Sequence, residues 1–416
     1  MSEETHDQPR KMRGATAHPH LRTGRSLWAD SPGLSLPSKR LSQPLDVDVV
    51  VIGAGISGAF MAYDLSHDFH VAVLECNAPL LGSTIASTAM LQWELDSPAL
   101  ALAEQIGLAD ASRVYQRSRR VVNDLIDIVR LERIACRLTP KASLYLAGDA
   151  YGARALKSEA KLRTNIGLDS VFLRKDELRE RFAIERSGAI LSQGSASADP
   201  AQLAAGLLRR AIKRGAHLFA PEEVTGIMQG GDHVTLVNGS GFEVRARHIV
   251  FCCGYAFPKG VPTNRAKIIS TWALASKPIG DMPEWLSKHL LWEASDPYLY
   301  VRTTTDGRII MGGEDEASAD RQSDPIILKE KGRTLTRKLK VLLPNIHFEI
   351  DYAWAGAFGH STTSMPLIGA IPDMPNCHAV MGLGGNGITF SALASQIVGA
   401  TVRGRRDPDA DLFAFT

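Results

Sequence analysis

Short apolar runs and helical periodicity alternate along the chain, and this alternation predicts an α/β fold that begins near Asp46. The run 47–52 consists almost entirely of valine and isoleucine and ends at a glycine. Such a run is typical of a parallel strand that is buried on both faces. A helical pattern over 59–65 and a second apolar run over 70–74 follow. The sequence therefore predicts a β-α-β unit at the start of the folded body.

Later segments continue the same mixture of helices and strands. Apolar spacings of three and four residues predict helices over 99–135, 200–214 and 388–402, the second ending at Gly215. Strands are predicted over 223–227, 233–237, 242–245, 248–252, 268–278, 298–303 and 308–312, with Asn238-Gly239 as a hairpin turn. Residues 1–45 are rich in Pro, Ser and Arg and lack a sustained period. We expect them to form a flexible tail, in which 26–28 could dock on the body.

Composition narrows the class of protein. The 416 residues carry 47 basic and 45 acidic side chains, a balance that predicts no nucleic-acid partner. The five cysteines form no CxxC pair and the 12 histidines no HExxH motif, so we expect neither a metal site nor a disulfide framework. The uncharged run 379–402 contains a glycine cluster, which favours a buried loop and helix over a membrane span. An acidic N-terminus without leader character completes the expectation of a cytoplasmic protein.

A glycine-rich turn follows the first strand. Gly53-Ala54-Gly55-Ile56-Ser57-Gly58 matches GxGxxG, and Glu75 ends the second strand 20 residues after Gly55. Such glycines permit close approach of a pyrophosphate to a helix N-terminus, and the acid accepts hydrogen bonds from a ribose. The pattern predicts a dinucleotide site without choosing between NAD and FAD. The alternative is a tight turn that binds no ligand.

A second glycine cluster, 382–387, precedes the last helix. Backbone amides and a helix N-terminus at this place would present positive potential to a flavin ring that gains negative charge on reduction. This cluster therefore favours FAD. The alternative is a tight loop beneath a packed helix.

Taken together, these motifs resemble the FAD-dependent amine and amino-acid oxidoreductases of the D-amino-acid oxidase superfamily, and in particular its glycine oxidase and gamma-glutamylputrescine oxidase-like branch. The similarity runs along 46–412 and includes the segments 48–58, 82–84, 87–89, 199–200, 250–254, 297–302, 312–315, 354–356, 365–369 and 382–388. It implies noncovalent FAD in a discontinuous Rossmann-like domain (46–97, 192–262 and 345–412). It also implies a second, α+β substrate domain (98–191 and 263–344) whose mixed sheet roofs the flavin.

The resemblance also implies roles for individual residues around FAD. The pyrophosphate would be held by the turn, at Gly53, Gly55, Ile56, Ser57 and Gly58, and the ribose by Glu75. The phosphate and isoalloxazine would be lined by Ser83, Thr84, Ala89, Met90 and Leu91. The backbone of Val224 would pair with adenine, and Cys253 and Gly254 would approach the cofactor. The pyrimidine edge would be bound by Gly385, Asn386, Gly387 and Ile388.

Substrate contacts are predicted on the roof sheet. On strand 298–302 the side chains of Tyr300 and Arg302 share a face opposite Leu299 and Val301, so they would face either a cleft or solvent. The resemblance implies that this strand belongs to the roof sheet, which would make Tyr300 and Arg302 substrate contacts. Trp272 could add an aromatic wall. Glycine and D-amino-acid oxidases have an arginine two residues after their Trp-Ala-Gly-like segment, whereas Phe358 occupies that position here. His360 is a candidate for tuning a substrate amine, with a purely structural role as the alternative.

The predicted function is oxidation of a C–N bond in a small amine or amino-acid-derived substrate. A hydride would pass to flavin N5, water would hydrolyse the imine, and O₂ or another acceptor would reoxidise the flavin. One alternative is a dehydrogenase of a D-amino or 2-hydroxy acid in which Arg302 binds the carboxylate. A second is a flavin-binding scaffold or sensor without turnover.

Overall fold

The structure is a computed structural model that describes residues 22–255, 266–318, 320–361 and 363–415, without the side chain of His360. Its strands are β1 (Arg22–Arg25), β2 (Leu45–Ile52), β3 (Val71–Leu74), β4 (Met90–Leu91), β5 (Thr139–Ala147), β6 (Ser170–Arg174), β7 (Gly188–Ser197), β8 (His217–Phe219), β9 (Val224–Gly230), β10 (His233–Asn238), β11 (Glu243–Phe251), β12 (Ala266–Ser276), β13 (His289–Ala294), β14 (Leu299–Thr303), β15 (Ile309–Glu316), β16 (Ile350–Ser361), β17 (Leu367–Ala370) and β18 (Cys377–Met381). Its helices are α1 (Ile56–Leu65), α2 (Ala99–Ile106), α3 (Leu108–Leu131), α4 (Ala153–Asn165), α5 (Lys175–Phe182), α6 (Pro200–Lys213), α7 (Glu284–Lys288), α8 (Pro325–Leu342) and α9 (Gly387–Val402).

One sheet has the order β17-β18-β11-β2-β3-β8, and β10 and β9 extend it from β11. Strands β18, β11, β2, β3 and β8 are parallel. Val49 and Val51 pack with helices α1, α3, α6 and α9 on one face, whereas Val50 and Ile52 pack with β9 and β10 on the other. Burial on both faces explains the continuous apolar run. The predicted β-α-β unit and the α/β, Rossmann-like fold class are confirmed.

The other sheet has ten strands in the described residues, in the order β1-β16-β12-β15-β14-β13-β5-β7-β4 with β6 paired to β7. Its pairs are antiparallel except β5 and β13, which are parallel. Leu335 and Leu339 of α8 cover one face. On the opposite face Ala273, Ala275 and Trp354 pack against Trp28 and Ile85.

The structure differs from the predicted segments in several places. Strand β4 and residues 192–197 of β7 were predicted within the nucleotide domain, but both belong to the ten-stranded sheet. Strand β16 was predicted within the nucleotide domain segment 345–412, but it lies in the ten-stranded sheet between β1 and β12. Residues 22–45, predicted as part of a flexible tail, are folded onto the body: β1 pairs with β16, and Trp28 is buried. Residues 1–21 of that tail lie outside the described residues. The boundaries of the two domains otherwise stay a prediction.

A membrane-crossing helix requires length and apolarity together. No helix in the described ranges combines the two to the extent needed.

Candidate active site

A cavity of about 620 Å³ is lined by residues from both sheets. Gly53 and Glu75 lie at the ends of β2 and β3, and Thr271 and Tyr300 lie on the ten-stranded sheet. The carboxyl ends of parallel strands are the usual place for a nucleotide in such a sheet. The position therefore agrees with the predicted dinucleotide site.

The glycine-rich turn forms one end of the cavity. Four of its five predicted residues line it: Gly53, Gly55, Ile56 and Ser57. Gly58 does not, but a Cβ at this position would overlap with the carbonyl oxygen of Gly53, so a side chain here would force the turn apart. Helix α1 begins at Ile56 and receives no side-chain cap from Gly55. The Ile56 amide donates to Thr84 Oγ1, so the amides of Ser57 and Gly58 are the ones in this turn that are available to an anion.

Glu75 is fixed by backbone amides at the end of β3. Its Oε2 accepts a hydrogen bond from Ala54 N at 2.8 Å, and its Oε1 accepts one from Asn77 N at 2.9 Å. These bonds hold the carboxylate beside the glycine turn, where a ribose is expected. Val224, predicted to pair with adenine, is buried in the core beneath the sheet and does not line the cavity, whereas the nearby Glu222 does.

The segment after β3 contributes a polar wall. Its lining residues include Ser83, Thr84, Ala89 and Met90. Thr84 Oγ1 accepts a hydrogen bond from Ile56 N at 2.9 Å. Ser83 Oγ is buried and has no hydrogen-bond partner in the described part of the chain. Leu91, predicted to line the flavin, points the other way on β4 and packs in the helical core.

The second glycine cluster forms another part of the wall. Gly385, Asn386, Gly387 and Ile388 all line the cavity. Asn386 Nδ2 donates to Glu94 O at 2.7 Å, and Gly385 N donates to Asp96 Oδ2 at 3.0 Å. Because Asn386 gives α9 no side-chain cap, amides of its first turn are available near this wall. The hydrogen bonds of Gly385 and Asn386 hold this loop against the segment 92–96.

Cys253 and Gly254 also line the cavity, after β11. Cys253 Sγ donates to Ile52 O at 3.8 Å. Burial raises the pKa of the Cys253 thiol well above its ordinary value. The thiol consequently stays protonated at neutral pH, which gives it little nucleophilic character.

The roof follows the predicted strand parity in part. Leu299 and Val301 pack under α8, while Tyr298 and Tyr300 line the cavity. The hydroxyl of Tyr298 donates to Asp315 Oδ2 at 2.6 Å. Burial raises the pKa of Asp315 to about 6. A titratable carboxyl group thus lies directly behind a cavity tyrosine.

Two predicted substrate contacts are not part of the cavity lining. Trp272 is wholly buried under α8, where Lys331 Nζ lies 4.8 Å from the centre of its ring. The neighbouring residue on β12, Thr271, faces the cavity, so Trp272 faces away from it. Arg302 shares the inner face of β14, but its Nη1 donates to Ala89 O and Ala198 O, each at 3.1 Å, and its guanidinium lies over Trp28. Burial lowers the pKa of Arg302 to about 9.

Phe358, the remaining predicted substrate contact, does line the cavity. Phe358 lies on β16, two residues after Gly356. Gly356 pairs with Thr271 of β12, so Phe358 and Thr271 lie close together in the cavity wall. The side chain of His360 is outside what the structure describes. Its proposed effect on a substrate amine therefore stays a prediction.

Sequence reasoning missed the polar residues Gln92, Glu94 and Asp96, which line the cavity. Between them, Trp93 and Leu95 are fully buried in the helical core. Polar and apolar positions alternate with a period of two across 92–96, and this alternation was the signal available in the sequence. Trp292 was also missed, and it lines the cavity while stacking on Tyr145.

Comparison with known proteins agrees with this geometry. Residues 48–401 match the family described as DAO, FAD dependent oxidoreductase. The chain belongs to this family. It is 23% identical over 408 residues to gamma-glutamylputrescine oxidoreductase of Escherichia coli (strain K12), covering 93% of this chain and 90% of that protein.

Solved structures share the fold. Glycine oxidase from Geobacillus kaustophilus superimposes with a TM-score of 0.75 at 22% identity, covering 89% of this chain and 99% of that one. L-proline dehydrogenase from P. horikoshii gives a TM-score of 0.76 at 18% identity, covering 89% and 97%. The family match over residues 48–401 confirms the resemblance and the enzyme class expected from the sequence: this is an FAD-dependent oxidoreductase.

The residues present fit FAD. The crowded contact between Gly58 and Gly53 leaves no space for a side chain in the turn, and the orphaned Ser83 Oγ lies in the wall beside it. Both features suit a phosphate that accepts hydrogen bonds from closely approaching backbone. Glu75 would bind the ribose, and the amides of Gly387 and Ile388 would face the flavin ring, since the Gly385 amide donates to Asp96.

Proposed function

We propose that this enzyme oxidises a carbon–nitrogen bond in a small amine whose reacting carbon carries no carboxylate. The observation that carries the proposal is the composition of the cavity wall formed by the segment 92–96 and by the chain at strands β12, β13, β14 and β16; the Arg22 side chain enters the cavity from β1. Among the described residues, this wall contains oxygen acceptors and aromatic rings and no Lys or Arg. Its side chains are those of Gln92, Glu94, Asp96, Thr271, Trp292, Tyr298, Tyr300 and Phe358. A buried carboxylate needs a cationic or hydrogen-bonding partner, whereas an amine is matched by carboxylate and hydroxyl oxygens.

The position of Phe358 supports this substrate class. In the glycine and D-amino-acid oxidases that the chain resembles, an arginine two residues after the Trp-Ala-Gly segment binds the substrate carboxylate. Here a phenyl ring enters the cavity from that position. Arg302 does not replace the missing arginine, because Trp28 and two backbone carbonyls surround it. The alternative of an acid dehydrogenase that relies on Arg302 therefore loses its binding residue.

The proposed reaction balances with water and one electron acceptor. When bound, FAD would supply the acceptor for a hydride from the carbon next to the nitrogen, and water would hydrolyse the resulting iminium to a carbonyl compound and ammonia or an amine. O₂ or another acceptor then removes the two electrons. A relative from E. coli is a gamma-glutamylputrescine oxidoreductase, and its name supports a substrate with an amine nitrogen.

The chain's own residues would bind and orient the amine. Tyr298 is held by Asp315, so its oxygen is fixed in the wall. The aromatic faces of Phe358 and Trp292 would exclude water from the reacting carbon. Holding the amine in one orientation would supply much of the rate enhancement.

The test is reduction of the enzyme-bound flavin under anaerobic conditions by pooled amines and, separately, pooled amino acids. Loss of visible flavin absorbance reports hydride transfer whatever the acceptor is. We expect amines to reduce the flavin faster. Faster reduction by amino acids would overturn the proposed substrate class, while leaving the assignment as an FAD-dependent oxidoreductase intact.

A matched variant, Phe358→Arg, restores a cation at the position where glycine oxidases carry one. We expect its kcat/KM ratio for amino acids over amines to rise at least about tenfold, because a charge-assisted bond contributes about 1.5–3 kcal/mol. Phe358→Leu removes the ring without adding charge and should leave the ratio near that of the wild type.

We also propose that FAD is held without a covalent bond. Three cysteines, Cys76, Cys252 and Cys253, line the cavity, and burial raises the pKa of each thiol, that of Cys76 to about 12. Thiols that stay protonated are poor nucleophiles toward a flavin. Acid precipitation should release the yellow colour into the supernatant, and a coloured pellet would contradict noncovalent binding.

A further inference from the structure

Arg22 lies on the N-terminal strand and reaches the cofactor cavity. Strand β1 pairs with β16, where Arg22 is opposite Gly356. The Arg22 side chain lines the cavity, and its Nε donates to Leu81 O at 3.1 Å. Leu81 comes two residues before Ser83, whose buried hydroxyl has no partner in the described part of the chain. We propose that Arg22 binds the pyrophosphate of FAD and that β1 is a clasp that retains the cofactor.

Charge balance supports this assignment. The pyrophosphate of FAD carries two negative charges, and the described lining of the cavity contains the carboxylates of Glu75, Glu94, Asp96 and Glu222, of which Glu94 pairs with the buried Arg163 behind the wall at 3.4 Å. Arg22 supplies the single Lys or Arg side chain in that lining. The uncapped N-terminus of α1 contributes only a partial positive charge. A guanidinium can bind phosphate oxygens through two parallel hydrogen bonds, which fits the chemistry required here.

The clasp is tied to the wall that lines the cofactor. Ser26 Oγ donates to Ile85 O, and Trp28 Nε1 donates to Ser87 O at 2.6 Å. Both carbonyl groups belong to the segment 83–91, which contributes Ser83, Thr84 and Ala89 to the cavity. Docking of residues 22–28 therefore both orders this wall and places the Arg22 side chain in the cavity. Residues 22–28 precede the part of the chain that matches the DAO family, which starts at 48.

Docking of β1 depends on one glycine. Gly24 has a φ of +80°, and a Cβ there would overlap with the carbonyl oxygen of Ala353 on β16. Arg25, on the same strand, is exposed, pairs with Asp30 and lies 5.1 Å from the ring centre of Tyr352. It offers a matched control, since it carries the same charge on the same strand but does not line the cavity.

The experiment measures the dissociation constant of FAD and its release rate in the full-length protein, using flavin fluorescence over a range of salt concentrations. We expect Arg22→Gln to raise Kd roughly 10- to 100-fold, as expected for loss of a hydrogen bond to a charged group. Arg22→Lys should have an intermediate Kd, because lysine keeps the charge without the planar fork. Arg25→Gln should change Kd less than about twofold.

Two further comparisons separate charge from packing. The Kd of the wild type should rise with salt more steeply than that of Arg22→Gln, because screening weakens the same charge that the variant lacks. Gly24→Ala should weaken FAD as much as Arg22→Gln does, and the double variant should add little because both changes act on one contact. Melting of each apoprotein verifies that the variants fold.

An unchanged Kd in Arg22→Gln would overturn the proposal. So would a raised Kd with the salt dependence of the wild type, because Arg22 would then act through packing alone. Neither readout uses a substrate, so failure of this inference is independent of the proposed amine oxidation.

Discussion

At the scale of single residues, Asp315 places a carboxyl group with a perturbed pKa behind a cavity tyrosine. Its pKa is raised from 3.8 to about 6, chiefly by burial, although the hydrogen bond from Tyr298 opposes the shift. The folded state therefore holds this proton more tightly than the unfolded chain. The stabilising contribution is fully present below pH 3.8 and is lost as pH rises through about 6.

Asp315→Asn removes this titration while keeping an oxygen that can accept the bond from Tyr298. Relative to the wild type, we expect the variant to gain thermal stability as pH rises from about 4 to about 6 and to show a constant difference above that. The measurement is the melting temperature of both proteins across that pH range. Asp281→Asn, at an exposed position, is the control and should give no such trend. A difference that does not vary with pH would show that Asp315 titrates as an ordinary carboxyl group.

At the scale of elements, Arg302 connects β14 to the segment 83–91, which lines the cavity. Its guanidinium donates to Ala89 O, and Ala89 has a φ of +54°, a conformation that costs a non-glycine residue roughly 1–2 kcal/mol. Arg302→Ala would leave two buried carbonyls unpaired and a cavity beside Trp28. We expect a loss of about 2–4 kcal/mol in the free energy of unfolding, measured in urea.

The same variant tests whether Arg302 is a substrate residue. The kcat/KM ratio for amines over amino acids should not change, since Arg302 is separated from the cavity by the residues it supports. Arg333→Ala, on the exposed side of α8, should change neither stability nor the ratio. A selective loss of activity toward carboxylated substrates without destabilisation would assign Arg302 to the substrate instead.

Elements formed by local pattern were predictable from the sequence, whereas those formed by distant pairing were not. The apolar run of β2 and the turn at Gly53 carry their own signal, because both faces of the strand are buried and the turn needs glycine. The sequence of β16 does not indicate which sheet the strand joins, because its partners β1 and β12 are far away along the chain. Trp272 was misplaced for a related reason: its face on β12 is set by pairing with β15 and β16.

The candidate site shows the same division. Gly53 and Gly385, which the resemblance predicts to act through backbone or turn geometry, line the cavity, while their role toward FAD stays a prediction. Arg22 could not be identified, because its segment lacks periodicity and reaches the cavity only through pairing with β16. Asp96 could have been found from the two-residue alternation over 92–96.

At the scale of the whole molecule, the cofactor cavity joins the two sheets. Glu75 and Gly55 contribute from the eight-stranded side, and Tyr300 and Phe358 from the ten-stranded side. A ligand that binds only the folded state stabilises it by about 2.7 kcal/mol at a hundred times its Kd. FAD should therefore raise the melting temperature in a concentration-dependent way and hold both sheets in one cooperative unit.

Two probes can follow the sheets together and separately. Five of the six tryptophans, Trp28, Trp272, Trp285, Trp292 and Trp354, lie on or beside the ten-stranded sheet, so tryptophan fluorescence reports mainly that half, while far-ultraviolet circular dichroism reports the entire chain. With FAD bound, we expect the two melting curves to coincide, which is the signature of a two-state transition. Without FAD, both should shift to lower temperature. If the fluorescence transition occurs at a lower temperature than the dichroism transition at saturating FAD, the cofactor does not couple the two sheets. The ten-stranded sheet would then unfold independently, and its cavity tyrosines would be positioned without help from the nucleotide-binding half.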